Sequence, residues 1–295
     1  MKKESVATPE KNMPFRQAYE SIVDKFDNRR HLTGRATGFT NLDQYLSGLQ
    51  NGDLLLITGD PSVGKTVFAS NVACHTLPSE NPAVIYFTLE MSSARLAKRM
   101  MIAMGRLNCL DIDSGGVKDD DWGVITRTIK SIVDKNIYVM DEFNSIMDMI
   151  GYSRLLNEKQ KVGLVVIDSL QLAQEFMDDS IDMSDLSRMM AKLKLLAREL
   201  DAPVMILSGP IYLKNKKTSS QCDNYALIPH IDVHLNISKD DSNVNDDESL
   251  FVTTIDIVRA RNAGPWCISL LFSRESIRFD NLINDNEMAQ GHYND

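Results

Sequence analysis

The sequence predicts an α/β fold: a mostly parallel sheet covered by helices on both faces, with an antiparallel extension at its C-terminal edge. Three observations carry this reading. Short, continuously apolar runs at 54–58 (LLLIT), 84–89 (VIYFTL), 137–140 (IYVM), 164–168 (LVVID) and 204–208 (VMILS) read as fully buried strands rather than exposed edges. Helical stretches fall between them; in 184–200 the residues Leu186, Met189, Met190, Leu193, Leu196, Ala197 and Leu200 recur at helical spacing, a stripe that suits core packing. Alternating strands and helices imply βαβ crossovers and parallel pairing. After Ser208 the character changes: 231–237, 251–258 and 267–272 read as successive strands, the first two joined by the acidic loop KDDSNVNDDES, so an antiparallel extension on one edge is expected.

The flanks are different in kind. Residues 1–13 are polar, and 14–30 (PFRQAYESIVDKFDNRR) can form a short helix with Phe15, Tyr19, Ile22, Val23 and Phe26 on one side. That stripe lies outside the main body and needs a partner surface. Residues beyond Asn281 form a polar tail, and no internal repeat is visible.

Composition narrows the function classes. At 295 residues, with 43% hydrophobic and 25% charged residues, the chain suits one α/β unit with short arms and not wholesale disorder. It has no apolar run of about eighteen residues to span a membrane, and its first residues lack the apolar core of a signal peptide. Cys74, Cys109, Cys222 and Cys267 lie far apart without metal-type spacing, so a reduced cytoplasmic protein is expected. A net charge of -9 argues against coating nucleic acid through bulk positive potential, but leaves room for a narrow basic channel.

The strongest chemical signal is Gly59-Asp60-Pro61-Ser62-Val63-Gly64-Lys65-Thr66, which fits G-x-x-x-x-G-K-[ST] between a buried strand and a helix beginning at Thr66. Glycines let the backbone curl so that successive N–H groups face phosphate oxygens, and the helix N-terminus adds its positive end. Lys65 is expected to hold β/γ-phosphates and the Thr66 hydroxyl to ligate Mg²⁺. Asp168 closes its strand at the same carboxyl edge, where it can hold Mg²⁺ through water or simply cap a turn. Glu90, at the end of the strand after the loop's helix, can orient or deprotonate water, or be a solvated loop residue.

Several stretches resemble the ATPase domain of the DnaB family of replicative ring helicases, which is built on a RecA-like core. The resemblance runs through 33–43 and 48–54 into the phosphate loop, then Thr88-Leu89-Glu90-Met91-Ser92 with Leu96 and Arg99. It continues at Val166-Ile167-Asp168-Ser169-Leu170-Gln171-Leu172, at 196–204 and at Arg259-Ala260-Arg261-Asn262-Ala263-Gly264-Pro265. It implies a RecA-like P-loop NTPase domain over 35–280, preceded by an arm and linker helix (1–34) and followed by the tail (281–295). It further implies ATP and Mg²⁺ bound by residues 59–66 with Arg99, and water activated by Glu90. Asp168 would hold the metal, and Arg261, assisted by Arg259, would reach the γ-phosphate of a neighbouring subunit as an arginine finger. The implied activity is ATP-driven unwinding of single-stranded or forked DNA, in the 5'-3' sense. The implied form is a homo-oligomeric ring, a hexamer by the same resemblance, working with partners such as primase or a loader.

Departures qualify this. Only about thirty residues precede Arg35, where the helicases carry a further domain. Ser208 is followed by Gly209-Pro210 instead of the family's glutamine that senses the γ-phosphate. The acidic stretch near 224–232 is reduced, and Asn262-Ala263-Gly264-Pro265 has one residue more than the family pattern, which can shift Arg261. Lys214, Lys216 and Lys217 remain as candidate DNA contacts or as a solvated loop, with no interleaved aromatic to stack bases. The expected function is therefore a DnaB-like helicase, with a non-unwinding ATPase that regulates or loads a replication partner as the alternative.

Overall fold

The computed structural model describes residues 32–76, 82–176, 182–209, 229–239, 249–261 and 264–282. The expected helix at 14–30, most of the polar tail and Lys214, Lys216 and Lys217 lie outside these residues.

A nine-stranded sheet organises the described chain: β1 (Leu54–Gly59), β2 (Ala83–Thr88), β3 (Ile137–Met140), β4 (Val162–Asp168), β5 (Val204–Leu207), β6 (Val233–Lys239), β7 (Leu250–Arg259), β8 (Trp266–Ser273) and β9 (Arg278–Asn281). Their spatial order is β3-β2-β4-β5-β1-β6-β7-β8-β9. All pairs from β3 to β6 are parallel, and the antiparallel part begins only at β6–β7. The expected extension is thus present, but its first strand belongs to the parallel half.

The helices are α1 (Thr40–Leu46), α2 (Lys65–His75), α3 (Ser93–Gly105), α4 (Cys109–Ser114), α5 (Asp119–Val133), α6 (Ile146–Lys159) and α7 (Met183–Leu200). Every residue of β1, β2, β4 and β5 is buried, because helices cover both faces. Alternation still sorts these side chains. Leu55 and Ile57 join Phe68, Val72, Leu96 and Met100 on one face. Leu54 and Leu56 join Ile150, Leu186, Leu193 and Leu196 on the other, with the α7 stripe packed as core. One expectation fails: 137–140 is not a fully buried strand. It forms the sheet edge and is half-buried throughout, its apolar run reflecting cover on its two faces rather than neighbours on both sides.

Parallel pairing aligns the carboxyl ends of β1, β2, β4, β5 and β6. Thr88 stands opposite Asp168, Asp168 opposite Leu207, and Gly59 opposite Ile237. The phosphate loop leaves the middle of this edge, where ligands of such sheets bind.

Candidate active site

The loop's path is set by backbone that few residues tolerate. Gly59 has φ +147°, and a Cβ there would lie 2.3 Å from the Ile237 carbonyl oxygen, so only glycine fits against β6. Gly64, at φ +100°, sits where a Cβ would come within 3.0 Å of the Phe279 ring. Gly64 is also the N-cap of α2 and offers no side-chain cap, so the first-turn N–H groups are aimed at the loop's mouth. Beneath the loop, the buried Thr58 hydroxyl donates to Asn236 Oδ1 at 3.0 Å and meets His234 Nε2 at 2.8 Å.

Lys65 reaches across this mouth: its ammonium donates to the carbonyls of Gly59 (2.7 Å) and Asp60 (2.8 Å). Burial lowers its pKa, opposed by the negative charges of Asp168, Glu90 and Asp60. The four groups therefore share one electrostatic neighbourhood.

Asp168 is 1% exposed. Its Oδ2 accepts a hydrogen bond from the Tyr86 hydroxyl at 2.9 Å, and its carboxylate is also hydrogen-bonded to the Thr66 side chain. Burial pushes its pKa up to about 6, against the pull of the Thr66 and Tyr86 hydrogen bonds. Tyr86 is pushed well above its usual value by burial and by Asp168, with Arg99 of α3 opposing the shift; Arg99 thus lies within electrostatic reach of the pair. The Leu89 N–H donates to the Asp168 carbonyl at 2.6 Å, and the Thr88 hydroxyl donates to the Met91 carbonyl at 2.9 Å. This pins the turn that carries the exposed Glu90 beside the loop.

The donor set suits Mg²⁺. A buried carboxylate and a hydroxyl in mutual contact are hard oxygen ligands, and Mg²⁺ prefers one or two protein oxygens plus water and phosphate to a full protein cage. Among the described residues no group of three or more His, Cys, Asp or Glu converges as a cage.

Arg261 lies elsewhere. It follows β7, whose C-terminal end meets the start of β6, and it is held by Asp232 and Asp53, which precede β6 and β1. The phosphate loop leaves the opposite end of β1. Arg259 pairs in register with His234 and is exposed. At the end of β5, the Gly209 N–H donates to Gln171 Oε1 at 3.0 Å, and the Ser208 hydroxyl lies 3.5 Å from the same oxygen.

The family described as "DnaB-like helicase C terminal domain" matches residues 34–281. The chain belongs to this family. Among curated relatives of this DnaB-like domain, the replicative DNA helicase DnaB of Geobacillus stearothermophilus is 32% identical over 285 residues, covering 93% of this chain and 62% of that protein. The replicative DNA helicase DnaC of Bacillus subtilis (strain 168) is 30% identical over 274 residues, covering 90% and 60%. The chain thus spans about three fifths of the length of these relatives. Among solved structures, an isolated ATPase domain aligns with a TM-score of 0.78 at 26% identity, covering 92% of this chain and 100% of that one. A DnaB-like replicative helicase, solved to describe its interactions with primase, gives 0.78 and 26%, covering 93% and 69%. The RecA-like architecture read from the sequence accords with these neighbours.

Four residues escaped the sequence reading, Tyr86 and His234 on the side of the phosphate loop and Asp53 and Asp232 around Arg261. Tyr86 is one of two hydroxyls, with Thr88, in the run 84–89, and His234 shares 231–237 with Asp232 and Asn236, so each carried only a faint signal. Asp53 and Asp232, the partners of Arg261, precede strands far apart in the chain, and only the β1–β6 pairing unites them.

Proposed function

We propose that this chain is the ATP-hydrolysing motor domain of a DnaB-like replicative helicase, acting as a ring, a hexamer by family resemblance, with each ATP site completed by the next copy. The observation that carries it is the convergence of Lys65, Thr66, Asp168 and Glu90 on one carboxyl edge while Arg261 stands at the other end of the sheet.

In this reading the amides of residues 59–66 and the Lys65 ammonium cradle the β/γ-phosphates of ATP. Thr66 and Asp168 hold Mg²⁺, Asp168 through water; the bound ion neutralises charge on the phosphate oxygens. Tyr86 orients Asp168 by its hydrogen bond, and Arg99 lends positive charge beside them. Glu90 takes a proton from the attacking water. Arg261 of one copy stabilises charge on the γ-phosphate of the next, assisted by Arg259, so turnover depends on assembly. Lys214, Lys216 and Lys217 contact the phosphates of single-stranded DNA in the channel. Movement in the 5'-3' sense, action in the bacterial cytoplasm (for a host, phage or plasmid replicon) and contact with primase or a loader follow from the family.

Strand displacement on forked DNA with Mg²⁺-ATP tests the motor: unwinding is expected, and its absence in an assembled, ATP-hydrolysing preparation would contradict it. Gly209 favours one second reading, a non-unwinding ATPase that regulates or loads a partner, because no side chain at that position can pass the phosphate signal onward. Turnover that rises strongly with single-stranded DNA would count against that reading.

A further inference from the structure

We propose that Asp232 is a positioning residue for Arg261: it grips one edge of the guanidinium and presents the other to the phosphate of a neighbouring copy. The inference rests on the trans-acting role given to Arg261 above.

The geometry separates the two edges. Arg261 Nε donates to Asp232 Oδ1 at 2.7 Å, and Nη2 donates to the same oxygen. This occupies the Nε/Nη2 side of the fork and leaves the Nη1/Nη2 end, which suits two phosphate oxygens at once. The Arg261 side chain is 53% exposed, which leaves the guanidinium accessible to a neighbouring copy.

Asp232 is itself firmly placed. Its Oδ2 accepts from the Leu54 N–H at 2.8 Å and from Lys194 Nζ at 2.5 Å, and its own N–H donates to the Leu54 carbonyl at 3.0 Å. Lys194 also donates to the Gly52 carbonyl at 2.5 Å, so α7 is tied to the same corner. The grip is therefore anchored to the first residue of β1, the strand whose other end forms the phosphate loop.

Asp53 plays a lesser part. Its Oδ1 lies 3.2 Å from Arg261 Nη2 and 3.9 Å from Lys194 Nζ, yet accepts no hydrogen bond among the described residues. An incoming phosphate can displace this loosely aligned contact while Asp232 keeps its hold. The two aspartates, Lys194 and Arg261 sum to zero formal charge, so Lys194 keeps the aspartates from cancelling the arginine's charge outright.

The test uses the assembled full chain with Mg²⁺-ATP and compares Asp232→Asn, Arg261→Ala and the double variant. Asparagine keeps an oxygen for the Leu54 N–H but loses the charge that grips Arg261. Asp232→Asn is expected to lower kcat on the order of 10–100-fold, as a misplaced group does, with KM and sedimentation unchanged. In the Arg261→Ala background it is expected to change nothing further, since Asp232 acts only through Arg261. A kcat that stays or rises in Asp232→Asn, while Arg261→Ala is inactive, overturns the positioning role and leaves the trans reading standing. A fully active Arg261→Ala overturns both. Should Asp232→Asn fail to fold, Asp232→Glu keeps charge and acceptor while displacing the guanidinium by about one methylene; a lowered kcat supports the proposal and an unchanged one contradicts it.

Discussion

Lys65 and Arg261 stand at opposite ends of β1: Lys65 closes the loop that leaves its carboxyl end, and Arg261 is ion-paired to Asp53 just before its first residue. Six residues of strand at about 3.3 Å each put roughly 20 Å between the two ends. No side chain bridges that span, so Arg261 cannot reach the phosphate loop of its own copy, as the proposed trans role requires. Lys65→Ala is accordingly expected to abolish nucleotide binding. Arg261→Ala is expected to retain binding and lose turnover on the order of 10³-fold, the scale of an arginine finger. Fluorescent-nucleotide titration beside steady-state turnover separates the two; equal loss of binding in both variants would contradict the division of roles.

Gly59 offers a backbone test. At φ +147°, and with the Ile237 carbonyl where a Cβ would go, Gly59→Ala must displace either the loop or β6. A loss of at least about 2 kcal/mol in stability is expected from strain and forced backbone movement. Chemical denaturation measures it, and a neutral substitution would show that the loop's start is not held as described.

Two buried groups pull the pH dependence in opposite directions. Burial, reinforced by the charge of Arg259, lowers the His234 pKa from 6.5 to about 4. The unfolded chain therefore binds a proton that the folded chain refuses, and this contribution to stability is lost as pH falls from 6.5 towards 4. Asp168 behaves inversely: burial raises its pKa from 3.8 to about 6, so stability is lost as pH rises through that window. Each shift corresponds to roughly 3 kcal/mol, so the two nearly offset. His234→Gln, which can keep the hydrogen bond to Thr58, is expected to leave a protein that weakens from pH 4 to 6 without Mg²⁺. Asp168→Asn is expected to strengthen with pH, and to be more stable than the parent at pH 8 though inactive. Denaturant melts across pH 4–8 check both signs; parallel profiles in the two variants would refute the assignment.

For Lys214, Lys216 and Lys217 the expectation concerns salt. Changing all three to alanine should weaken single-stranded DNA binding and flatten its salt dependence, because each lost phosphate contact releases fewer ions. ATP turnover without DNA should be unaffected. An unchanged salt slope would remove these lysines from the DNA path.

The phosphate loop and the βα alternation were legible because local chemistry dictates them: glycines demanded by the loop's backbone, and apolar runs demanded by burial on two faces. Pairing was less so. The run at 137–140 looks as buried as 164–168, yet one is a sheet edge and the other central. The run at 231–237 gives no sign that its strand joins β1 in parallel before the sheet reverses. Strand order is decided by crossover paths, which leave no mark in a single strand's composition. For the same reason Asp168 and Glu90 could be placed on one edge from their strand ends, while the grip of Asp232 on Arg261 could not: it requires residues 53, 232 and 261 to meet at a corner made by β1, β6 and β7.

Mixing Lys65→Ala with Arg261→Ala tests the shared site most directly. Each variant alone lacks one half, but a junction in which the first supplies Arg261 and the second supplies Lys65 is whole. ATP turnover is expected to reappear on mixing, in proportion to such junctions. Turnover that stays at the level of the separate variants, in a mixture shown by sedimentation to co-assemble, would contradict a site built from two copies.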